Sequence, residues 1–118
     1  MYLLDSNILI YYLNGEGSVG SFFSSEVSKF ISIISITELL AKPSLDIKEE
    51  LLIMQFLDRF RILPLDVVVA KRAAELKRKH NLMFPDAIIA ATTELFDLVL
   101  ITRDRGFKKV SEIRTLTL

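Results

Sequence analysis

The 118-residue sequence has no cysteine and only one histidine, which limits the chemistry open to it. Without cysteine, a disulfide framework, a thiol nucleophile and a zinc–thiolate site are all excluded. A single histidine cannot supply the pair of proton-transfer groups that a metal-independent phosphodiesterase uses. Any catalysis must therefore depend mainly on other groups, and carboxylates are the obvious candidates.

Long apolar runs and an excess of one charge are also missing. The chain opens Met1-Tyr-Leu-Leu-Asp5, which is unlike a signal peptide, and its apolar runs are too short to cross a bilayer. We therefore expect no membrane contact and a cytoplasmic location. Fifteen basic residues balance fifteen acidic ones, so the total charge gives no indication of a nucleic-acid partner. Residues 71–80 and 103–109 are locally basic and suit phosphate contacts, although solvated helix faces have the same composition.

Glycine and proline are scarce, and no linker or repeat divides the chain. With 51% apolar residues, residues 1–118 are expected to form a single domain. Residues 14–25 hold three Gly and four Ser, so we expect a loop there, with room for a short helix.

Short apolar runs alternate with segments in which apolar residues recur at helical spacing. This alternation is typical of βαβ units and predicts an α/β fold, with a mostly parallel central sheet flanked by helices. The predicted strands are residues 2–4, 30–34, 61–65 and 98–101. The predicted helices are residues 7–13, 37–42, 47–60, 67–79 and 86–96.

Four acidic residues lie where the predicted strands or helices meet the ligand-binding edge of such a sheet. Asp5 ends the first strand, Glu38 follows the second, Asp86 opens a helix, and Asp104 follows the strand at 98–101. Because the carboxyl ends of parallel strands share one edge, these carboxylates are expected to converge. Their convergence is the main functional signal of the sequence.

Each acid also has a purely structural interpretation. Ser35 and Glu38 have the spacing of a capping box. Asp5 suits the N-cap of the following helix, Asp86 suits a positive helix end, and Asp104 suits a turn. These alternatives are common for single acids, but four together at one edge are less expected by chance.

The segments around the acids carry a more specific pattern, which covers nearly the whole chain and resembles the PIN-domain family. Thr93 and the Gly/Ser-rich residues 15–25 depart mildly from the usual pattern. The length resembles the toxin components of VapBC toxin–antitoxin pairs. The matching segments are Asp5-Ser6-Asn7, Ser35-Ile-Thr-Glu38-Leu39, Pro85-Asp86-Ala87-Ile88-Ile89-Ala90-Ala91-Thr92 and Ile101-Thr102-Arg103-Asp104-Arg105-Gly106-Phe107.

This resemblance implies a PIN-like three-layer sandwich and metal-dependent endonucleolytic cleavage of RNA, leaving a 5′-phosphate and a 3′-hydroxyl. It makes Asp5, Glu38, Asp86 and Asp104 the acids of the pocket, with Ser6 and Thr102 in supporting roles. It also implies a homodimer, and an antitoxin partner that places a basic side chain in the acidic pocket and fills the groove beside it.

The donor chemistry agrees with this on separate grounds. Hard divalent cations choose oxygen ligands, so carboxylates without cysteine or clustered histidine favour magnesium or manganese over zinc. Our hypothesis is that Asp5, Asp86 and Asp104 hold one or two ions directly or through water. Glu38 would complete the site or orient the attacking water.

Other classes of protein fit the sequence less well. A haloacid-dehalogenase-type phosphatase needs Asp-x-Asp at the first strand, a receiver domain needs paired acids, and a metal-ion adhesion site needs Asp-x-Ser-x-Ser. None of these patterns follows Asp5. A catalytically degenerate PIN binding module and a housekeeping PIN nuclease of RNA maturation remain open.

The single histidine and several aromatic residues were not assigned to the site. His80 ends a predicted helix, where an imidazolium favours the negative end of the helix dipole. Five phenylalanines are able to stack on bases, but aromatic residues at helical spacing more often belong to a core. These are Phe22, Phe23, Phe56, Phe60 and Phe84.

Overall fold

The computed structural model describes residues 1–24 and 27–118. Along the chain it has β1 (Tyr2–Leu4), α1 (Ser6–Leu13), α2 (Gly17–Ser24), β2 (Lys29–Ser32), α3 (Ile33–Leu40), α4 (Ile47–Leu57), β3 (Arg61–Leu63), α5 (Val67–His80), α6 (Phe84–Leu95), β4 (Val99–Thr102), a 3₁₀ helix (Arg105–Lys109) and β5 (Arg114–Thr117).

The strands form one parallel sheet in the order β3-β2-β1-β4-β5. β1 lies at the centre, and the chain first builds the sheet to one side of β1 and then to the other. The strand order therefore reverses next to β1, which is where sheets of this type bind ligands. The predicted α/β class is confirmed, and the sheet is entirely parallel.

Alternate residues of the central strands enter two different apolar cores. Leu3 and Leu100 pack with α5 and α6 on one face, whereas Leu4 and Ile101 pack with α1, α2 and α4 on the other. This alternation follows from the two-residue period of a strand. The expected three-layer sandwich is confirmed, and β1 and β4 are covered on both faces.

The second core contains a cluster of aromatic rings that fixes α2 and α4 against α1. Phe23 stacks on Tyr12 with the ring centroids 4.1 Å apart, and Phe60 meets the edges of Phe23 and Phe56. Phe22 packs against the same core. The structural interpretation is therefore confirmed for Phe22, Phe23, Phe56 and Phe60, whereas Phe84 is exposed and belongs to neither core.

The boundary between β2 and α3 differs from the sequence prediction. The strand ends at Ser32, whose Oγ accepts a hydrogen bond from the backbone N–H of Ile34 and caps α3. The apolar run continues past this point, which is why the prediction carried the strand to residue 34. Because Ser35 already lies inside the helix, the capping-box interpretation of Ser35 and Glu38 is wrong.

Two elements were not predicted from the sequence: the 3₁₀ helix that follows β4, and β5, which closes one edge of the sheet. Residues 17–24 form α2, within the segment where a loop with room for a short helix was expected. Residue 25 of the predicted loop lies outside the described residues. β5 reads Arg-Thr-Leu-Thr and is largely exposed, so it lacks the apolar run that identified the other strands.

None of the helices within residues 1–24 and 27–118 combines the length and apolar content needed to cross a membrane.

Candidate functional site

Asp5 lies at the centre of the carboxyl edge of the sheet, where β1 passes into α1. Its Oδ1 accepts a hydrogen bond from the backbone N–H of Ser6 at 2.7 Å and caps α1. Its Oδ2 accepts hydrogen bonds from Thr102 Oγ1 at 2.7 Å and from Asn7 Nδ2 at 3.2 Å. Asp5 is therefore a buried helix cap as well as a candidate site residue.

The register of the sheet brings Thr102 to Asp5 across 97 positions of sequence. Leu4 of β1 is paired with Ile101 of β4, so the next residue on each strand lies at the same level. The Thr102 hydroxyl donates to Asp5 and accepts from the backbone N–H of Asp104 at 2.9 Å. Thr102 thus connects two of the predicted acids.

Glu38 reaches the same edge from α3. Its Oε1 accepts a hydrogen bond from Ser6 Oγ at 2.5 Å, and Ser35 Oγ lies 3.0 Å from the same hydroxyl. Ser35 and Glu38 are three residues apart on a helix and therefore share one face. Ser6 is the contact between this face of α3 and the start of α1.

Asp86 and Asp104 lie on the side of the site formed by α6 and the 3₁₀ helix. Asp104 caps the 3₁₀ helix, since its Oδ1 accepts from the backbone N–H of Gly106 at 2.8 Å. Asp86 occupies the first turn of α6, whose N-cap residue Met83 makes no side-chain capping bond. Asp5 thus confirms its predicted capping role and Asp86 its predicted place at a helix start, whereas Asp104 caps a 3₁₀ helix where a turn was expected.

The charges of all four acids interact. The pKa of Asp5 is raised to about 6, mainly by burial and to a smaller extent by the carboxylates of Asp86 and Glu38, while the hydrogen bonds from Thr102 and Ser6 lower it. Burial and the charges of Asp104 and Glu38 raise the pKa of Asp86, while Lys109 lowers it. The four acids thus lie near one edge of the sheet, Asp5 and Asp86 each within electrostatic range of Glu38 and of each other, and Asp86 within range of Asp104.

The donor set fits a hard divalent cation that keeps part of its water shell. In the described part of the chain, no three acidic or imidazole side chains lie close enough together to enclose an ion as they stand. Mg²⁺ does not require such a cage, because it usually retains several waters and uses one or two carboxylates. Repulsion among Asp5, Glu38, Asp86 and Asp104 is the property that a bound cation relieves.

Sequence reasoning missed three contributors to this site. Asn7 donates from Nδ2 to Asp5 and accepts at Oδ1 from the backbone N–H of Arg103 at 3.3 Å. Ser35 contacts Ser6, and Lys109 offsets the charge of Asp86. Asn7 and Ser35 both lie in segments that match the family pattern, Asn7 in the first and Ser35 in the second. The sequence therefore marked their positions but did not indicate their hydrogen bonds.

His80 lies away from the four acids and has a partner of its own. Its Nε2 is 2.7 Å from Glu112 Oε1, and Lys79 Nζ is 2.9 Å from Glu112 Oε2. These contacts hold the pKa of Glu112 well below its usual range, at about 2. His80 therefore joins the end of α5 to the segment before β5.

A parallel sheet with helices on both faces, and with four carboxylates at its carboxyl edge, defines an α/β protein with an acidic candidate site. The PIN domain family matches residues 2–113. The chain belongs to this family, as its motifs indicated.

Individual relatives agree with the family assignment over most of the chain. Ribonuclease VapC10 of Mycobacterium tuberculosis is 32% identical over 110 residues, covering 86% of this chain and 81% of the relative. Ribonuclease VapC2 of Methanocaldococcus jannaschii is 31% identical over 128 residues, covering 90% and 86%. A toxin–antitoxin complex from Klebsiella pneumoniae has a chain of the same fold, with a TM-score of 0.83 and 29% identity, covering 96% of this chain and 95% of that one.

Proposed function

We propose that this protein is a divalent-metal-dependent endoribonuclease and the toxin of a toxin–antitoxin pair. The observation that carries the proposal is the convergence of Asp5, Glu38, Asp86 and Asp104 at one edge of the sheet, with their charges interacting. The relatives named as VapC ribonucleases support it. RNA as substrate implies a cytoplasmic site of action.

Asp5, Asp86 and Asp104 would hold magnesium or manganese, directly or through water. A bound divalent ion supplies an activated water and neutralises charge on the phosphate. Asp5 is mostly ionised at neutral pH, because its pKa is only raised to about 6. Asn7, Thr102 and the backbone of Ser6 orient its two oxygens, so the carboxylate is fixed before any ligand arrives.

Glu38 differs from Asp5 in that it is exposed and has one identified partner, Ser6. An exposed carboxylate is able to accept a proton from water, so Glu38 would orient the water that attacks phosphorus. In that step the water oxygen bonds to phosphorus, and the bond from phosphorus to the 3′ oxygen breaks. The 3′ oxygen takes up a proton, which leaves a 5′-phosphate and a 3′-hydroxyl.

The decisive experiment is cleavage of a panel of structured RNAs by the purified protein in magnesium, in manganese and in EDTA. Cleavage is expected with metal and not with EDTA, and Asp5→Asn or Asp86→Asn should each reduce it by at least a hundredfold. Asp58→Asn is the matched control, because Asp58 is an exposed acid at the end of α4.

Two results would change the assignment. If the parent protein cuts no RNA under any condition and metal leaves its melting temperature unchanged, a degenerate PIN binding module becomes the better description. If it cuts one structured RNA at a maturation site and is not inhibited by an antitoxin, it is a housekeeping nuclease.

We also propose that the antitoxin occupies a groove of about 310 Å³ formed by α1, α3 and α4. The groove is mostly apolar, lined by Ile10, Leu13, Leu39 and Leu52 among others, with Asn14, Lys42 and Glu49 also in its wall. Two of its helices, α1 and α3, carry Ser6 and Glu38. An antitoxin segment in this groove would bring a basic side chain to the carboxylates.

Leu52→Glu should abolish co-purification with the co-expressed antitoxin and leave RNA cleavage intact. The control Leu95→Glu, on α6, should affect neither.

A homodimer is the third part of the proposal. Val67 and Val68 at the start of α5 are 82% and 63% exposed and adjoin the edge strand β3. The absence of net charge removes long-range repulsion between copies. Val68→Asp should shift the sedimentation of the protein from dimer to monomer, and a monomeric parent would refute this part.

A further inference from the structure

The rim of the site beside Asp86 carries two large apolar side chains that are mostly exposed. Met83 and Phe84 are 72% and 62% exposed at the start of α6. Phe84 is the exception among the five phenylalanines considered from sequence, because the other four pack in the second core. Exposed aromatic residues next to a site are candidates for substrate contact.

A small cavity of about 100 Å³ lies next to this rim, between α6 and the 3₁₀ helix. It shares Asp86 with the candidate site, so whatever enters it is adjacent to the carboxylates. Its wall combines apolar surface with hydrogen-bonding and charged groups, and it includes Leu82, Met83, Phe107, Asn81, Asp86 and Lys109.

The 3₁₀ helix adds positive charge at the same place. Arg105, Lys108 and Lys109 are exposed along it, and Lys109 lies close enough to Asp86 to affect its pKa. The chain as a whole is neutral, so this is a local excess. These three residues belong to the basic segment 103–109. The four carboxylates do not explain why this segment is basic.

We infer that the rim formed by Met83 and Phe84, together with the cavity and Lys109, binds one unpaired nucleotide beside the phosphodiester that is cut. The base would stack on Phe84, and its flanking phosphate would meet Lys109 and Arg105. This inference rests on the proposed nuclease function and adds a contact for one base at the rim, because an unstacked base is able to stack on an exposed aromatic ring.

The rival occupant of the rim is a second copy of this chain, since exposed apolar residues also form dimer contacts. The charge pattern favours RNA. A dimer contact at this place would bring two basic 3₁₀ helices towards each other, whereas a nucleotide satisfies the apolar rim and the cations with one ligand.

The test uses the absence of tryptophan from the sequence. Phe84→Trp introduces a single fluorescent reporter at the rim, and Phe96→Trp introduces one at the opposite end of the same helix, where Phe96 is 41% exposed. Each is made in an Asp5→Asn background and titrated with a single-stranded oligoribonucleotide. Stacking should quench the first reporter and leave the second unchanged.

Binding affinity provides a second measurement on the same background. Phe84→Ala should weaken binding of the oligonucleotide about tenfold, the size of the loss when one stacking platform is removed. Phe96→Ala should bind as the background does. In the cleavage assay, Phe84→Ala should raise KM for single-stranded RNA more than it lowers kcat.

The outcomes separate this inference from the nuclease assignment. If the parent cleaves RNA but Phe84→Trp is not quenched and Phe84→Ala binds normally, the nucleotide site is refuted and the nuclease stands. If Phe84→Ala changes only the sedimentation, the rim is an interface between copies and the inference is also refuted. A parent that neither binds nor cleaves RNA refutes both.

Discussion

Asp5 illustrates how one side chain carries opposing demands. Its Oδ1 caps α1 and its Oδ2 holds Thr102 and Asn7, yet it is buried beside other acids. Burial makes the ionised form of this carboxylate energetically unfavourable. The hydrogen bonds offset part of this penalty, and the remaining penalty is expressed as a raised pKa.

This conflict predicts a pH dependence of stability. The pKa of Asp5 is about 6 in the folded protein, against an ordinary value of 3.8 for an aspartate in water, so its contribution to stability falls as the pH rises from about 4 to about 6. Asp5→Asn should be more stable than the parent by about 1 to 2 kcal/mol at pH 7.5 in EDTA. The difference should vanish near pH 4, as measured by urea unfolding.

The same experiment has a clear negative result. Parallel stability curves for Asp5→Asn and the parent across this pH range would show that the Asp5 charge carries no penalty. Asp58→Asn controls for the general effect of removing one negative charge.

Thr102 positions Asp5 without being a candidate ligand itself. Thr102→Val should reduce metal-dependent cleavage roughly 10- to 100-fold, the usual cost of losing a hydrogen bond to a metal ligand. Thr102→Ser keeps the hydroxyl and should retain most of the activity. A pH–rate profile is the discriminating measurement, because loss of the hydroxyl removes a bond that lowers the pKa of Asp5.

At the scale of elements, the segment before β5 is attached to α5 by one carboxylate. Glu112 accepts from Lys79 and lies within hydrogen-bond distance of His80. The pKa of Glu112 is lowered to about 2, so its stabilising contribution is complete above pH 4.5 and is lost as the pH falls towards 2.

Glu112→Gln should therefore lower the free energy of unfolding by about 1 kcal/mol at pH 7. The control is Glu50→Gln, an exposed acid in the first turn of α4. Hydrogen exchange should show earlier opening of β5 in Glu112→Gln, and unchanged exchange there would contradict the role assigned to Glu112.

The elements that were predictable are those with strong local signals. Asp46 and Asp66 cap α4 and α5 through their side chains, and both helices begin where the sequence placed them. β5 was not predictable because its four residues are mostly exposed and it is held by pairing with β4. Its existence depends on a neighbour that local sequence does not reveal.

The residues of the site also divide into those with a local sequence signal and those whose contacts depend on distant parts of the chain. Asp5, Asp86 and Asp104 were recognisable because each follows a strand or opens a helix, whereas Glu38 lies inside α3 and was recognisable through its motif. The hydrogen bonds of Asn7 to Arg103 and of Thr102 to Asp5 depend on the register between β1 and β4, since their partners are more than 90 positions apart. A motif identifies such residues, but their hydrogen-bond partners become evident only from the pairing of β1 with β4.

For the whole molecule, the repulsion among the acids predicts a response to metal. An ion that binds only the folded state stabilises it, by about 2.7 kcal/mol at a hundred times its Kd. Magnesium or manganese should therefore raise the melting temperature by several degrees, and sodium at equal ionic strength should not. Asp5→Asn and Asp86→Asn should each reduce the shift, and Asp58→Asn should retain it.

A metal-induced shift of equal size in Asp86→Asn and in the parent would contradict the assignment of Asp86 as a ligand. Persistence of the shift in EDTA would show that it does not come from the added ion.

Among the strands, the central one is synthesised before the others, whereas one of its two neighbours follows about a hundred residues later. β1 emerges with Asp5, and β4 and Asp104 come only shortly before β5. A ribosome-bound fragment that ends before residue 104 therefore lacks one wall of the acidic site, even if its earlier elements have folded. The four acids are thus expected to come together only after β4 has been synthesised.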